Sequence, residues 1–465
     1  MNKFKNILIF VLALFAIYLT EWLWFDEISG HNFFYSLRLD PLKLPTIETS
    51  NSSFSDPYRI VTNFGNGTFV SIYEDIENSP QKDQGTEFIT FMLRRGRFIK
   101  SSEIDWDYVF KNRSFIYDYN FAMPSDLFVE SFNLNGNILT SRFDSFTSIV
   151  FVPNMDSDER LIIIFLDEER DMMHEFTLDN QILSTNILKT INSIQSDNSY
   201  PILISSKQSA FRKFKKNIFI PQIEMVNFPL VKKNNPYTEN RSALLYTIRG
   251  NILNFFDNPA SVWDHHPNDV FIYSDENTVV KYFGQDILEY SDYRPIDKSN
   301  SNSVVRNYES AINFIRSDDK IINNYFLSKF ETDNNKHTFY FDLTINNYPI
   351  LLSEEYLFNN DLALQSSIEV TVENESIIQY KKLAYNYESV KTDLETNVSF
   401  VNFLNQIDRA LEVDEAGEIN FSSILMGYKV EKRNNLQNED LKLYWRIVDM
   451  NMKQMFVAAV KDTEA

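Results

Sequence analysis

The residues with the densest capacity for chemistry lie in one run, Trp263-Asp264-His265-His266-Pro267-Asn268-Asp269. Imidazole beside carboxylate suits zinc, but a half-site needs two ligands aimed at one point. Adjacent histidines aim apart, and no His-X3-His spacing sets two on one helical face, so the run reads as an exposed loop ended by Pro267. The acidic run Asp167-Glu168-Glu169-Arg170-Asp171 lacks the alternating ligands and central glycine of a calcium loop, and reads as a solvated turn after a buried strand. Carboxylate pairs for glycoside hydrolysis are set by tertiary separation, and among 65 acidic residues a pair carries no information in sequence. Arg94-Arg95-Gly96-Arg97 and Lys213–Lys216 read as surface charge on strand edges or helices. There is no Gly-rich phosphate loop and no Gly-X-Ser-X-Gly elbow. With no cysteine, thiol catalysis and Cys-ligated metal are excluded. The sequence therefore predicts no catalytic, cofactor-binding or metal residues.

The elements that would carry any site begin with a hydrophobic stretch. Met1, Lys3 and Lys5 precede Ile7–Phe25, which is apolar up to Thr20 and Glu21. As a helix it measures about 28 Å, close to the ~30 Å of bilayer hydrocarbon. Lysines lie before it, and Glu21, Asp26 and Glu27 come before the next basic residue, Arg38. The positive-inside rule then puts the N-terminus in the cytoplasm and the bulk outside. A cleaved signal peptide would need small residues at the cut, whereas Ala13-Leu14-Phe15-Ala16 places leucine at −3. Trp22 and Trp24 are expected as membrane-interface anchors. Ala13, Ala16 and Thr20, at i, i+3 and i+7, form a small-residue stripe able to face another span.

At 465 residues the chain is long enough for two or three cores. Its 43% hydrophobic and 15% aromatic content can bury them, and only 10 Gly and 14 Pro argue against a disordered build. A net charge of −21 keeps such a body soluble and repels nucleic acid, which is excluded as a partner.

Beyond a connector (27–56), strand-like segments at Tyr58–Phe64 and Thr68–Glu74 flank Gly65-Asn66-Gly67, a hairpin turn. Further strands are expected at Phe88–Leu93, Tyr117–Phe121, Phe128–Phe132, Leu134–Thr140 and Thr147–Val152, with a short helix in Ser102–Phe110. After Pro153–Arg160 come a buried strand, Leu161–Leu166, and a helix over Asp179–Gln195 with Leu183, Ile187, Ile191 and Ile194 on one face. Strands are expected at Ile202–Ser206, Ala243–Arg249, Asn251–Phe256, Val270–Ser274 and Thr278–Phe283. Ser303 caps a helix carrying Val304, Tyr308, Ala311, Ile312 and Ile315. Strands His337–Ile345 and Tyr348–Leu352, a hairpin at Ser367–Lys382, a helix through Val401, Leu404, Ile407 and Leu411, and strands Ser422–Glu431 and Lys442–Val448 complete the chain. Val270–Tyr282 and Ile368–Tyr380 echo one another in length, acidic turn and closing tyrosine. The fold class expected is α+β: a single transmembrane helix in 1–26, a β-rich N-terminal domain (27–155), and two similar helix-plus-antiparallel-sheet domains (156–300 and 301–465).

Several of these residues together resemble the YycH family, membrane-anchored accessory proteins of the WalK–WalR (YycG–YycF) two-component system. They are the anchor ending Leu19-Thr20-Glu21-Trp22-Leu23-Trp24, the segment Ile104–Phe132 with Trp106 and Phe121-Ala122-Met123-Pro124, and the junction from Phe256-Asp257-Asn258-Pro259 to Leu288-Glu289-Tyr290. Thr338–Leu351 is similar to a family strand pair, with Asn347 where the family's Gly-Tyr-Pro-Val motif has glycine. The likeness runs over essentially the full length and lies in order and spacing rather than in any one motif. It implies a non-enzymatic regulator of cell-wall metabolism at the cell membrane. The implied partners are a WalK-like sensor histidine kinase, touched by the transmembrane helix, and a YycI-like companion; a homo-oligomer stays open. The rival readings are an envelope carbohydrate hydrolase, which would need a deep cleft with two carboxylates of separated pKa, and a ligand-binding module acting without a kinase.

Overall fold

The computed structural model describes residues 54–72, 80–134, 139–153, 160–179, 181–196, 202–208, 216–221, 230–234, 249–250, 252–267, 270–283, 287–296, 302–318, 321, 324–345, 348–357, 363–390, 421–431, 440–449 and 454–458. Contacts divide the chain into Met1–Asn51 and Ser52–Ala465, and the described fold is that of the second unit. The expected span Ile7–Phe25 and the helix expected near Val401–Leu411 lie outside the described residues. Among the described residues no helix is long and apolar enough to cross a membrane.

A nine-stranded antiparallel sheet is built from β1 (Arg59–Asn63), β2 (Phe69–Ile72), β3 (Arg97–Glu103), β4 (Ser114–Pro124), β5 (Ser145–Pro153), β6 (Arg160–Asp167), β7 (Met172–Asp179), β8 (Ile202–Ser205) and β9 (Phe219–Pro221). Its order is β3-β7-β6-β5-β4-β1-β2-β8-β9. The turn from β1 to β2 uses left-handed backbone at Gly65 (φ +76°) and Gly67 (φ +80°), as the sequence expects. Buried Asn63 fastens this turn: its amide donates to the carbonyls of Phe110 (3.1 Å) and Asn112 (2.9 Å), and its Oδ1 accepts from the Gly65 amide (2.8 Å).

Helices α1 (Pro80–Arg95) and α4 (Gln181–Ser196) pack together over one face of this sheet. Leu161, Ile163 and Phe165 of β6 join the core beneath them, with Leu183, Ile187, Ile191 and Ile194 of α4. Ile164 and Leu166 point the other way, into a second core shared with Val109 and Phe110 of α2 (Trp106–Lys111). Burial on both faces explains the unbroken apolar run in β6. Phe88–Leu93, expected as a strand, lies inside α1. Phe88, Ile89, Met92 and Leu93 are buried, a spacing that serves a helix. Phe128–Phe132, also expected as a strand, is the end of α3 (Ser125–Ser131), with Phe128, Val129 and Phe132 inward.

The remaining strands are β10 (Leu230–Asn234), β11 (Trp263–His265), β12 (Val270–Ser274), β13 (Thr278–Phe283), β14 (Ile287–Asp292), β15 (Asn324–Asp333), β16 (Lys336–Ile345), β17 (Tyr348–Leu352), β18 (Ile368–Glu373), β19 (Ser376–Leu383), β20 (Asn386–Val390), β21 (Phe421–Val430), β22 (Asp440–Leu441), β23 (Leu443–Asp449) and β24 (Gln454–Ala458). Strands β10, β20 and β22 form a small sheet. The others form one twelve-stranded sheet, ordered β11-β12-β13-β14-β19-β18-β16-β17-β21-β23-β24 with β15 beside β16. Helix α5 (Val304–Ser317) lies against β16, β18 and β19. Ser303 caps it by accepting from the Arg306 amide (3.3 Å), and Tyr308, Ala311, Ile312 and Ile315 are buried. Asn251–Phe256, expected as a strand, contains a 3-10 turn, Leu253–Phe255.

The expected division at 155/156 falls inside the nine-stranded sheet, where β5 and β6 pair from Ser148↔Leu166 to Pro153↔Leu161. The division at 300/301 separates β14 from β19, which pair from Ile287↔Leu383 to Ser291↔Gln379. The two echoing hairpins likewise lie in one sheet, with β14 between them. The bodies of the two large sheets meet through aromatic edges. Phe54 contacts Tyr308 and Phe330 (5.5 and 5.4 Å), Tyr58 contacts Phe326 (4.3 Å), and Ser303 donates to Glu130.

Candidate functional site

The residues singled out for metal chemistry do not converge. Trp263, Asp264 and His265 form β11, an exposed edge strand, and His266 meets the Asp264 carboxylate (3.1 Å) and the rings of Phe271 and Tyr273. Among the described residues no group of three or more His, Asp or Glu is placed to hold a metal. Asp167 is buried, and its Oδ1 accepts from the amides of Glu169 and Arg170 (3.1 Å each), so it shapes the turn after β6. Arg94 and Arg95 end α1, where cations favour the helix dipole. Ala13, Ala16, Thr20, Trp22 and Trp24 lie outside the described residues, as do Lys213–Lys215.

Two carboxylates do share a cavity. Asp118 of β4 and Glu168, just after β6, line a space of about 80 Å³ that Ile424 and Leu425 of β21 close from the other sheet. Arg59 holds Asp118 at 2.6 Å. Burial pushes the Glu168 carboxyl up to about 7; the neighbouring Asp118 charge adds to this, while the Asn217 amide (2.7 Å), Lys216 and Lys207 oppose it. At about 80 Å³ the space is far below the ~300–1,000 Å³ of pockets that engulf a ligand.

The Glu168 shift has a sign that can be measured. The folded protein binds this proton more tightly than the unfolded chain, so the contribution is complete below pH 4.5 and is lost as pH rises through about 7. Glu168→Gln keeps the acceptor for the Asn217 amide but cannot ionise. Its stability relative to the parent should rise between pH 5 and pH 8 by on the order of 1–3 kcal/mol in urea unfolding. An unchanged difference would show that Glu168 does not carry the shift.

A second cavity, of about 170 Å³, lies where the 3-10 turn, the end of β14 and the last turns of α5 meet. Phe255, Tyr290 and Phe314 supply its rings, with centroids 5.1–6.0 Å apart and planes inclined by 37–48°. Arg294 spans Asp257 and Asp292, at 2.6 Å from each. Burial alone would raise the Asp292 carboxyl, but the Arg294 hydrogen bonds outweigh it and hold it below its usual range. Tyr290 is pushed up to about 12, by burial first and then by the Asp292 charge.

Asp318 follows α5 at the cavity wall. It accepts from Lys382 of β19 at 2.5 Å and from the Tyr380 hydroxyl at 3.0 Å, and both members of the ion pair are almost fully buried. A carboxylate at a helix C-terminus opposes the dipole, and Lys382 offsets it. Trp263 (79% exposed) and Tyr293 (68%) stand near the same end of the sheet, since Trp263 pairs with Ser274 and the Tyr293 amide bonds Asn277. The one-dimensional reading named Trp263, Asp257, Tyr290 and Tyr380 for other reasons, and nothing in it brought Phe255, Arg294, Phe314, Asp318 and Lys382 together.

No protein-family model and no curated protein matches the chain. Among solved structures it is similar to YycH from Bacillus subtilis, at 14% identity and a TM-score of 0.51, covering 89% of this chain and 97% of that one. An uncharacterised protein from Eubacterium rectale is similar over 57% of this chain and 87% of that one, at 12% identity and a TM-score of 0.34. The Bacillus megaterium YpeB C-terminal domain is similar over 43% and 84%, at 11% identity and a TM-score of 0.24. The likeness to YycH read from the sequence is met by a likeness of fold.

Proposed function

We propose that this chain is a non-enzymatic, single-pass membrane regulator that modulates a cell-wall-sensing histidine kinase. The observation that carries the reading is the shared fold with YycH, which extends over nearly the whole of both chains. The basic start and the apolar Ile7–Phe25 segment supply the tether, with Trp22 and Trp24 at the outer interface. The kinase partner and a YycI-like companion follow from the family resemblance.

The mechanism needs only differential contact. A helix biases a kinase when it packs better against one of the kinase's two states. In lipid that preference comes from close approach, which small residues allow, so Ala13, Ala16 and Thr20 form the contact stripe of this reading. Photo-crosslinkers placed singly at these positions, in membranes, should capture a kinase span. Ala13→Leu with Ala16→Leu should lower capture of the kinase through Thr20 by most of its yield, with membrane insertion unchanged. Capture of no kinase helix, or capture indifferent to the two leucines, would overturn the reading.

A further inference from the structure

We infer that the cavity walled by Phe255, Tyr290 and Phe314 is a binding site for a single uncharged, polyhydroxylated ring, a pyranose sugar unit. This inference does not depend on the kinase reading.

The class of ligand follows from what the walls can offer. Every charge at the site that bears on the cavity is already answered from within. Arg294 sits between Asp257 and Asp292, and Asp318 against Lys382. A small anion would enter beside three carboxylates, and an organic cation would enter beside Arg294 and Lys382. Neither gains a charge partner that is not already taken. What remains is ring surface and hydrogen-bonding capacity. Phe255 and Phe314 are only partly buried, so they present carbon faces to the space. Asn254 adds an amide that both donates and accepts, Ser317 a hydroxyl oxygen that can accept while it donates to the Phe314 carbonyl (2.7 Å), and exposed Asp257 acceptor oxygens.

A sugar ring answers both halves of that lining. Its C–H face packs on aromatic carbon while its rim of hydroxyls exchanges bonds with mixed donors and acceptors. The volume agrees: a cavity of ~150 Å³ admits one six-membered ring, and this one measures about 170 Å³. It falls short of the ~300–1,000 Å³ of pockets that engulf larger ligands. The pre-formed ion pairs also keep the walls in place before the ligand arrives, since Asp318 ties the end of α5 to β19 and Arg294 ties the end of β14 to the segment at Asp257.

The test uses the full chain in nanodiscs and saturation-transfer NMR with methyl glucoside and N-acetylglucosamine as probes. Choline and inorganic phosphate serve as charged comparisons, with phosphate followed by its own 31P signal. At least one of the two sugars should receive saturation and titrate at millimolar concentration, while the charged probes bind no tighter. Phe314→Leu, which keeps an apolar side chain but removes the ring, should weaken sugar binding about tenfold. Asp257→Asn, at an exposed position, should weaken it severalfold while the unfolding midpoint stays unchanged. Absence of binding by both sugars, tighter binding of choline or phosphate, or sugar binding unaltered in both variants would each overturn the proposal.

Discussion

Gly427→Ala is expected to lower the stability of this protein by about 3 kcal/mol, the upper end of the usual cost of overpacking. Gly427 lies in β21, between β17 on one side and Tyr444 of β23 on the other. A methyl group built there would stand 2.3 Å from the Pro349 carbonyl oxygen and 2.8 Å from the Leu351 side chain. The obstruction is backbone, so it cannot be relieved by a rotamer change. The strands must separate, and with them the parallel β17–β21 ladder that joins β21, β23 and β24 to the rest of the sheet. Gly250, which has nothing within 4 Å, provides the control: Gly250→Ala should leave the urea midpoint where it is. Equal midpoints for Gly427→Ala and the parent protein would refute the close-approach account.

Lys382→Met should cost about 3–5 kcal/mol, because it leaves the Asp318 carboxylate buried without its cation. The side chains of Asp318 and Lys382 are 2% and 3% exposed, so water cannot replace either partner. Removing both, as Asp318→Leu with Lys382→Met, should recover most of that loss, since two desolvation penalties vanish with the pair. The double-mutant cycle separates the two readings. A large coupling identifies a true buried pair, whereas additive losses would show that each residue acts through packing alone. The same cycle shows whether the wall of the aromatic cavity depends on this pair.

How far the chain could be read before folding depended on whether burial matched one period. Helix α4 was legible because Leu183, Ile187, Ile191 and Ile194 keep helical spacing above a single sheet, and α5 because Ser303 caps an equally regular face. Helix α1 was not. Phe88, Ile89, Phe91, Met92 and Leu93 are almost continuously apolar, and such a run suits a buried strand as well as a helix. Strand β7 was missed for the opposite reason. His174, Glu175 and Thr177 are buried in it, so polar residues stand where a core strand would show apolar ones. His174 and Glu175 find partners across the strands instead: the Ser101 hydroxyl lies 2.7 Å from His174, and Lys100 lies 3.1 Å from Glu175.

Local chemistry was determined by sequence alone. The glycine hairpin after Asn63, the Ser303 cap and the apolar run of β6 each rest on a few neighbouring residues, and short-range sterics and periodicity suffice to read them. The tertiary structure alone decided that the polar breaks near 155 and 300 lie between paired strands of one sheet, and that Phe255, Arg294 and Asp318 share one wall with Lys382 paired to Asp318. Those outcomes depend on strand register and on burial of charges far apart along the chain. Pairings such as Tyr290↔Tyr380 are chosen by the whole core at once, and no segment holds that information by itself.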